Sequence, residues 1–325
     1  MNSAAQDEVE ARFLGLAPGH RACQGCGEAL AARLVLEAAG PDSIVASATG
    51  CLEVFTTPYP QSSWRLPWIH SLFENAAAVA SGVEAAMKHL GKGTKTLAFA
   101  GDGGTFDIGF QALSGMFERG HDVCFVCFDN EAYMNTGIQR SSSTPHAALT
   151  TTSPAGGARF GKRHLKKDLL AIVAHHHLPY AASASVAYPS DLRQKVREAV
   201  TVVGPTFLLV HSPCPLGWGH DSAKTIETAR LAVQTGLFPL VEMVRGQVIG
   251  TMKLRQPRPV EEYLKLQKRF SHLFNPNDER AQEELLHLQE LARHNIEVYG
   301  LLAQHPDPRD AEGADTVTRG GARWG

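Results

Sequence analysis

Short apolar runs alternate with helical patterns through most of this chain, and that alternation constrains its fold more than any other feature. Strands are predicted at residues 44–48, 96–100, 123–128, 180–186 and 206–211. Helices are predicted at residues 28–39, 74–90, 108–119, 166–177 and 189–202. Because strands that alternate with helices pair in parallel through right-handed crossovers, the pattern predicts an α/β fold with a mainly parallel sheet flanked by helices.

The size and net charge of the chain limit the classes of protein to which it can belong. The chain has 325 residues, of which 43% are hydrophobic and 20% charged, and these are ordinary values for a globular protein. Its net charge of -2 gives no reason to expect nucleic acid or an anionic membrane as a partner. No apolar stretch reaches membrane-spanning length, and residues 1–10 are acidic, without the apolar core of a secretory signal. We therefore expect a cytoplasmic protein.

The alternating pattern ends near residue 238 and divides the chain into three predicted parts. Residues 1–238 form the α/β domain, and residues 239–304 form an extension. The extension contains a hairpin and two amphipathic helices, predicted at residues 239–253, 259–274 and 277–302. These helices either dock a partner or pack on their own domain. Residues 305–325 are polar and glycine-rich and are expected to be disordered.

Four of the six cysteines lie on backbone that is rich in turns, glycine or proline. Cys23 and Cys26 form a CxxC in a turn-rich segment. Cys51 follows a predicted strand, and Cys214 lies between two prolines. Such backbone leaves thiolates free to converge on one point, as an iron–sulfur cluster or a tetrahedral metal requires. The spacing alone leaves three interpretations open: a cluster, structural zinc, or Cys51 and Cys214 as unrelated buried thiols.

The other two cysteines, Cys124 and Cys127, have the same CxxC spacing within a continuous apolar run. Such a run is typical of a buried parallel strand. A separation of three along a strand places the two side chains on opposite faces, so they cannot bind one metal. We interpret both as small core hydrophobes.

A second polar signal lies where predicted strands end. Residues 101–104 read Gly-Asp-Gly-Gly directly after the strand at 96–100, and Asn130 follows the next strand along the chain. Glycines let backbone amides approach phosphate oxygens, and Asp102 offers a hard oxygen suited to magnesium. Asn130 and the carbonyl of Ala132 can complete its coordination. The spacing is similar to the thiamine-diphosphate signature; the alternative is two ordinary strand–helix turns.

Several long motifs occur together in the order found in one family. The chain resembles the thiamine-binding beta subunit of pyruvate:ferredoxin oxidoreductases, the 2-oxoacid:acceptor oxidoreductases, from residue 19 to about residue 274. The motifs that carry the resemblance are residues 19–28, 48–53, 67–75, 101–109, 129–145, 213–218 and 225–238.

The resemblance implies a role for each residue that matches a motif. The ligands it implies for a [4Fe-4S] cluster are Cys23, Cys26, Cys51 and Cys214. Those implied for magnesium are Asp102, Asn130 and the Ala132 carbonyl. Positions implied to bind thiamine diphosphate are Glu28, Cys51, Gly101, Asp102, Gly103, Gly104, Asn130, Ala132 and Asn135. Asn135 is also implied to be catalytic, beside the thiazolium of the cofactor.

The implied activity is the oxidative decarboxylation of pyruvate with coenzyme A and ferredoxin or a similar acceptor. Another 2-oxoacid, such as phenylglyoxylate or a branched-chain oxoacid, remains open as the substrate. In this family other subunits supply the cofactor glutamate and the further clusters, so the chain is expected to be inactive alone. A non-redox thiamine lyase with structural zinc and a non-catalytic iron–sulfur regulator are the competing hypotheses.

Two further features have simpler interpretations. The triplet at residues 175–177 is all histidine, and consecutive helical residues point in different directions, so it predicts a surface helix end rather than a metal site. Arg140 and the Ser/Thr run at 141–144 lie in a long loop at 130–164. They are expected either to contact phosphate or coenzyme A, or to form a solvated loop.

Overall fold

The computed structural model describes residues 13–156, 160–303 and the backbone of 317–319. The strands in this part of the chain are β1 Ser43–Ala48, β2 Trp68–Ser71, β3 Lys95–Gly101, β4 Val123–Asp129, β5 Tyr180–Ser185, β6 Thr206–His211, β7 Val241–Val244, β8 Gln247–Met252 and β9 Val317–Arg319. They form one sheet in the order β2-β1-β3-β4-β6-β5-β7-β8-β9. Pairing is parallel from β2 to β5 and antiparallel from β5 to β9.

Helices cover both faces of this sheet. They are α1 Gly27–Ala39, α2 Cys51–Thr56, α3 Ala76–His89, α4 Phe110–Glu118, α5 Leu169–Ala174, α6 Pro189–Thr201, α7 Pro215–Trp218, α8 Thr225–Gln234, α9 Val260–Leu264 and α10 Glu279–Val298. A π-helical turn spans Gly103–Ile108, and 3-10 turns span Ser222–Lys224 and Lys268–Phe274. The predicted α/β class with a mainly parallel sheet is confirmed.

The central strand β4 explains why both faces need helices. Each of its residues is buried, as expected of a strand covered on two sides. Cys124 packs in the hydrophobic cluster on one face, and Cys127 packs in the cluster on the other. The prediction that these two cysteines are core residues on opposite faces is confirmed.

Four neighbouring strands place polar residues at one edge of the sheet. Parallel strands β1, β3, β4 and β6 lie side by side, so their carboxyl ends meet at this edge. The candidate ligands that follow them are, in order, Cys51, Asp102, Asn130 and Cys214. The start of α1 lies at the same edge because the amide of Gly27 donates to the Pro213 carbonyl at 3.1 Å. The fold therefore gathers residues that are far apart in the sequence.

The extension after residue 238 packs on the domain before it. Strands β7 and β8 form the predicted hairpin, and β7 pairs with β5 at the edge of the parallel sheet. Both residues of its turn, Arg245 and Gly246, have positive φ, as a two-residue hairpin turn requires. Helix α10 buries Leu288 and Ala292 in the cluster that contains Cys127. Packing on its own domain is therefore what these helices do.

Two predicted helices need correction, and two short elements were not predicted. The helix predicted at 166–177 begins only at Leu169, because Asp168 caps it by accepting from the Ala171 amide. The helix predicted at 259–274 is divided into α9 and a 3-10 turn, and Gln267 between them has extended backbone. Helix α2 and strand β2 had no predicted counterpart, since both are too short for a clear periodic signal.

The expected disorder of residues 305–325 is wrong for Val317–Arg319, which pair with β8 as an edge strand. An edge strand offers unpaired backbone groups with which a short segment can form backbone hydrogen bonds. Residues 304–316 and 320–325 lie outside the described part of the chain. No helix among the described residues combines the length and the apolar character needed to cross a membrane.

Candidate functional site

A cleft opens at the carboxyl edge of the parallel strands. Its walls come from the ends of β1, β3 and β4, the start of α1 and the segment after β4. The predicted cofactor residues among its lining are Glu28, Cys51, Gly101, Asp102, Gly103, Asn130, Ala132 and Asn135. One cleft thus collects residues from four separate parts of the sequence.

Asp102 is fully buried at the floor of this cleft. Its Oδ2 accepts a hydrogen bond from Ser141 Oγ at 2.5 Å, whereas its Oδ1 is buried without any partner. Burial, and then the neighbouring charge of Asp129, raise the pKa of Asp102 well above its usual range. Burial of a carboxylate oxygen without a hydrogen-bond donor costs free energy unless a cation coordinates that oxygen. Asp102 is therefore suited to be a magnesium ligand.

Asn130 offers the second unpartnered oxygen. Its Nδ2 donates to Glu28 Oε2 at 3.1 Å, and this bond turns the amide so that Oδ1 is left buried without a partner. The carbonyl of Asn130 accepts from Trp218 Nε1 at 2.7 Å, which holds the backbone as well. Ala132 is buried two residues later and also lines the cleft. The donor set of a carboxylate, an amide oxygen and a carbonyl matches what magnesium prefers.

Glu28 connects the start of α1 to this arrangement. It is buried, and burial raises the pKa of its carboxyl to about 7, although the Asn130 bond works in the opposite direction. The same carboxyl is close enough to Cys26 and Cys51 to raise the pKa of both thiols. Glu28 therefore lies between the oxygen ligands and the cysteines.

Two of the three glycines of the motif, Gly103 and Gly104, are packed closely against neighbouring residues. A Cβ on Gly103 would lie 2.4 Å from the ring of Tyr133, whose hydroxyl donates to the Gly103 carbonyl at 3.2 Å. Tyr133 stacks on Phe73 with ring centroids 5.7 Å apart. A Cβ on Gly104 would lie 3.0 Å from the Phe73 carbonyl, so Gly104 is needed for packing beside the cleft.

The Ser/Thr run after β4 is not a solvated loop. Ser141, Ser143 and Thr144 are buried, and their hydroxyl groups bond to the ends of β3 and β4. Ser143 donates to Asp129 at 2.5 Å, and Thr144 donates to the Glu131 carbonyl at 2.7 Å. The solvated-loop alternative is wrong for these residues because the carboxylates at the strand ends need donors. Arg140 remains exposed.

The four turn-borne cysteines lie together beside the cleft. Burial, the Glu28 carboxyl and all three other thiols of the set raise the pKa of Cys51. Cys26 and Cys214 are the N-caps of α1 and α7, where their Sγ atoms accept from the amides of Ala29 and Gly217 at 3.4 and 3.3 Å. Burial raises the pKa of both thiols, and the two donated hydrogen bonds act in the opposite direction, towards the thiolate that a metal cluster requires.

The CxxC turn is held by its own glycine. Gly25 has a φ of +68°, and a Cβ there would lie 2.2 Å from the Ser222 carbonyl. The hydroxyl of Thr225 donates to the Gly25 carbonyl at 2.6 Å. Cys23 is exposed, whereas Cys26, Cys51 and Cys214 are half-buried. Within the described residues no three His, Cys, Asp or Glu side chains are grouped closely enough to hold a metal ion as they stand, although the four thiols are near one another.

Asn135 lies at the mouth of the cleft, exposed, beside Met134 and Thr136. Its catalytic role stays a prediction.

The histidine triplet follows the end of α5, with His175 and His177 exposed, so the predicted surface helix end is confirmed.

Sequence reasoning missed the residues that hold this site together. Tyr133 and Trp218 belong to motifs that were recognised, but their contacts with Gly103 and Asn130 have no local pattern. Arg269, which pairs with Glu131 at 2.6 Å, was hidden in a segment predicted to be a plain amphipathic helix. At helical spacing Arg269 falls among the charged residues of that predicted helix, so no local signal distinguishes it from a solvated side chain.

Comparisons with known proteins agree with this site. The family profile "Thiamine pyrophosphate enzyme, C-terminal TPP binding domain" matches residues 48–210. The pyruvate synthase subunit PorB of Methanosarcina barkeri is 55% identical over 285 residues, which cover 87% of this chain and 96% of that subunit. The PorB subunit of Methanocaldococcus jannaschii is 56% identical over 82% of this chain and 92% of its own length.

A relative named for a different substrate is also similar. The ketoisovalerate oxidoreductase subunit VorB of Pyrococcus abyssi is 47% identical over 87% of this chain and 93% of its own length. Among solved structures, a 2-oxoglutarate:ferredoxin oxidoreductase from Magnetococcus marinus has a TM-score of 0.52 at 22% identity, over 64% of this chain and 76% of that one. That likeness supports the fold alone. The chain therefore belongs to the family of thiamine-pyrophosphate-binding B subunits that includes those of pyruvate synthase and ketoisovalerate oxidoreductase.

Proposed function

We propose that this chain is the thiamine-diphosphate-binding subunit of a 2-oxoacid:ferredoxin oxidoreductase that converts pyruvate and coenzyme A to acetyl-CoA and carbon dioxide. The observation that carries the proposal is the pair of buried, unpartnered oxygens, Asp102 Oδ1 and Asn130 Oδ1, in one cleft beside four clustered thiols. Oxygen ligands with thiols on the other side of Glu28 suit a redox enzyme better than a simple lyase.

The oxygen atoms would hold magnesium and, through it, the cofactor diphosphate. Asp102 supplies the charge, while Asn130 and the Ala132 carbonyl supply neutral oxygens. The amides of residues 101–104 would bind phosphate, with the open approach at Gly101, since Gly103 and Gly104 are packed against Tyr133 and Phe73. Glu28 orients the Asn130 amide, and the segment at Cys51 forms the opposite wall of the cleft. When bound, thiamine diphosphate supplies the electron sink for decarboxylation.

The four cysteines would hold a [4Fe-4S] cluster, which supplies a one-electron acceptor next to the cofactor. Three of them lie at the beginnings of helices, and Cys23 is the exposed ligand. Asn135 would donate a hydrogen bond to the bound oxoacid from the mouth of the cleft. The protein's own contribution is therefore to bind, orient and electrostatically support the two groups.

The chain would work as part of a complex in the cytoplasm. Its relatives carry subunit names, which imply partner subunits. In the proposed complex these partners supply the remaining cofactor contacts and the clusters that lead to ferredoxin or a similar acceptor. Coenzyme A accepts the acyl group.

Ketoisovalerate is the second candidate substrate, because one relative with 47% identity carries that name. Pyruvate is favoured by the higher identity of the pyruvate synthase subunits. Steady-state rates of the purified complex with pyruvate, 3-methyl-2-oxobutanoate and phenylglyoxylate separate the candidates. A kcat/KM for either alternative above that for pyruvate would reverse the assignment.

The test of the cofactor set is anaerobic purification of the complex, followed by analysis of iron, sulfide, zinc, magnesium and thiamine. We expect iron and sulfide in equal amounts and one thiamine diphosphate per chain. Asp102→Ala should lose magnesium and thiamine diphosphate but keep its iron. Asp122→Ala is the matched control, since Asp122 pairs with Lys95 at the opposite end of the same strands.

Two results would reject the proposal. Zinc without iron or sulfide would identify a non-redox thiamine enzyme with structural metal. A cluster without any thiamine diphosphate requirement would identify an iron–sulfur regulator instead.

A further inference from the structure

A single arginine of the C-terminal extension touches both segments that carry candidate ligands. Arg269 lies in the 3-10 turn Lys268–Phe274 and is only 5% exposed. Its Nη2 donates to Glu131 Oε2 at 2.6 Å, and its Cζ lies 3.8 Å from the centre of the Trp218 ring. Its Nε donates to Gln267 at 2.9 Å, so the plane of the guanidinium is fixed from a third side.

The Glu131 contact acts on the turn that presents the magnesium ligands. Glu131 lies between Asn130 and Ala132 and has a φ of +67°, a conformation that L-residues rarely adopt. Its side chain is held by Arg269 and by Lys166, the latter at 2.8 Å. A buried, doubly paired carboxylate keeps this turn in its left-handed form.

The Trp218 contact acts on the cysteine side. Trp218 is fully buried and ends α7, the short helix whose N-cap is Cys214. Its backbone amide donates to the Cys214 carbonyl at 2.9 Å, and its indole Nε1 donates to the Asn130 carbonyl at 2.7 Å. The Trp218 ring is therefore packed between the guanidinium and the backbone of both ligand segments.

We propose that Arg269 is a positioning residue that couples the magnesium turn to the Cys214 helix, with Trp218 as the connecting side chain. This inference rests on the proposed function and adds a role for the extension, which otherwise only packs on the sheet. Because one rigid guanidinium orients both segments, occupation of one site should stabilise the geometry of the other.

The test measures that coupling in the anaerobically purified complex. The rate of iron loss to a chelator is measured with and without thiamine diphosphate and magnesium. The protection factor is the rate without these ligands divided by the rate with them. The dissociation constant for thiamine diphosphate is measured by equilibrium dialysis. We expect a wild-type protection factor of about 10, within the usual range of coupling between two sites.

Arg269→Lys is the main variant because it keeps a cation beside Glu131 but loses the planar face over Trp218. We expect its protection factor to fall below about 2, with a dissociation constant raised by about tenfold. Trp218→Phe keeps a ring under the guanidinium but removes the N–H that reaches Asn130, and it should lose the protection as well. The matched control is Arg280→Lys, since Arg280 also lies over an aromatic ring of this chain, Phe160, and this ring belongs to neither ligand segment.

A residue that merely stabilises the fold would lower the melting temperature without changing the protection factor. Wild-type protection in both Arg269→Lys and Trp218→Phe, or none in the wild type, would overturn the inference. A complex that contains no iron or no thiamine diphosphate would instead reject the proposed function itself, so the two failures are distinguishable.

Discussion

Two pairs of cysteines in this chain share the spacing Cys-x-x-Cys and lie in opposite environments. Cys23 and Cys26 lie on a turn at the edge of the sheet, where both thiols face the same region. Cys124 and Cys127 lie within β4, fully buried, with their side chains in two different hydrophobic clusters. The comparison shows that the backbone under a motif, rather than its spacing, determines whether the motif can bind a ligand.

The same contrast holds for the edge and the interior of the sheet as a whole. At the carboxyl edge, buried oxygens of Asp102 and Asn130 have no partner and the neighbouring hydroxyls point towards carboxylates. In the interior, the parallel strands bury apolar side chains against helices. Substitutions at the edge should therefore impair ligand binding with little change in the free energy of unfolding. Substitutions in the interior should lower the free energy of unfolding with little change in ligand binding.

The largest effect is expected for Cys26→Ser at the edge. A serine hydroxyl is a poor ligand for iron, so the iron content of the complex should fall. The rate of oxoacid-dependent reduction of the acceptor should drop by more than about 100-fold, because loss of a residue that only hydrogen-bonds to a metal ligand already costs up to about that much. Iron analysis and steady-state rates of the complex measure this, with thermal unfolding as the control. Full iron content in this variant would break the comparison, since the turn thiols would then be no more functional than the strand thiols.

Cys127→Ala tests the interior. Removal of a buried sulfur from the core should lower the free energy of unfolding by about 1 to 2 kcal/mol, while iron content stays at the wild-type value. Urea unfolding of the isolated chain and iron analysis of the complex provide the two readouts. Cys124→Ala on the other face should behave in the same way. Iron loss from either variant would contradict the assignment of this pair to the core.

Ser141→Ala sharpens the comparison because this residue is buried yet belongs to the edge. The hydrogen bond from the Ser141 hydroxyl lowers the pKa of Asp102 and fixes the orientation of that carboxylate. Removal of the hydroxyl should therefore weaken the binding of thiamine diphosphate with magnesium by about tenfold, or about 1.4 kcal/mol. The matched control is Ser142→Ala, since it is the backbone of Ser142 that bonds to Asp107 and Lys162. Equal affinities in both variants would mean that Ser141 does not position the ligand.

The smallest effect concerns Lys162, which is buried in the loop above the edge and donates to the carbonyls of Ser142 and Thr144. Burial lowers the pKa of Lys162 from 10.5 to about 8. Between these two values the unfolded chain binds more protons than the folded one, so stability should rise with pH in this window. Relative to Lys162→Met, the free energy of unfolding of the wild type should rise between pH 8 and pH 10, as measured by urea unfolding. A difference that stays constant with pH would show that Lys162 titrates normally.

Most of the sheet could be predicted from apolar runs and glycine turns, and the ends of β3 and β4 were assigned to within two residues. The short elements α2 and β2 were missed because they span only 6 and 4 residues, too few for a period to emerge. The break of the predicted helix at 259–274 also had no local cause. It is the buried pairing of Arg269 with Glu131 across 138 positions that sets the backbone there.

The sequence by itself determined which segments are buried strands and which residues follow their ends. It also determined that one CxxC pair lies on a turn and the other within a strand. These features depend on side-chain periodicity and turn residues, which are local properties of the chain. Tertiary structure alone decided that Asp102 Oδ1 and Asn130 Oδ1 have no partner, that Ser141 holds the first of these side chains, and that Trp218 and Arg269 join the two ligand segments. The physical reason is that hydrogen bonds and ion pairs between distant segments depend on how the elements pack, and no periodic pattern along the chain encodes that packing.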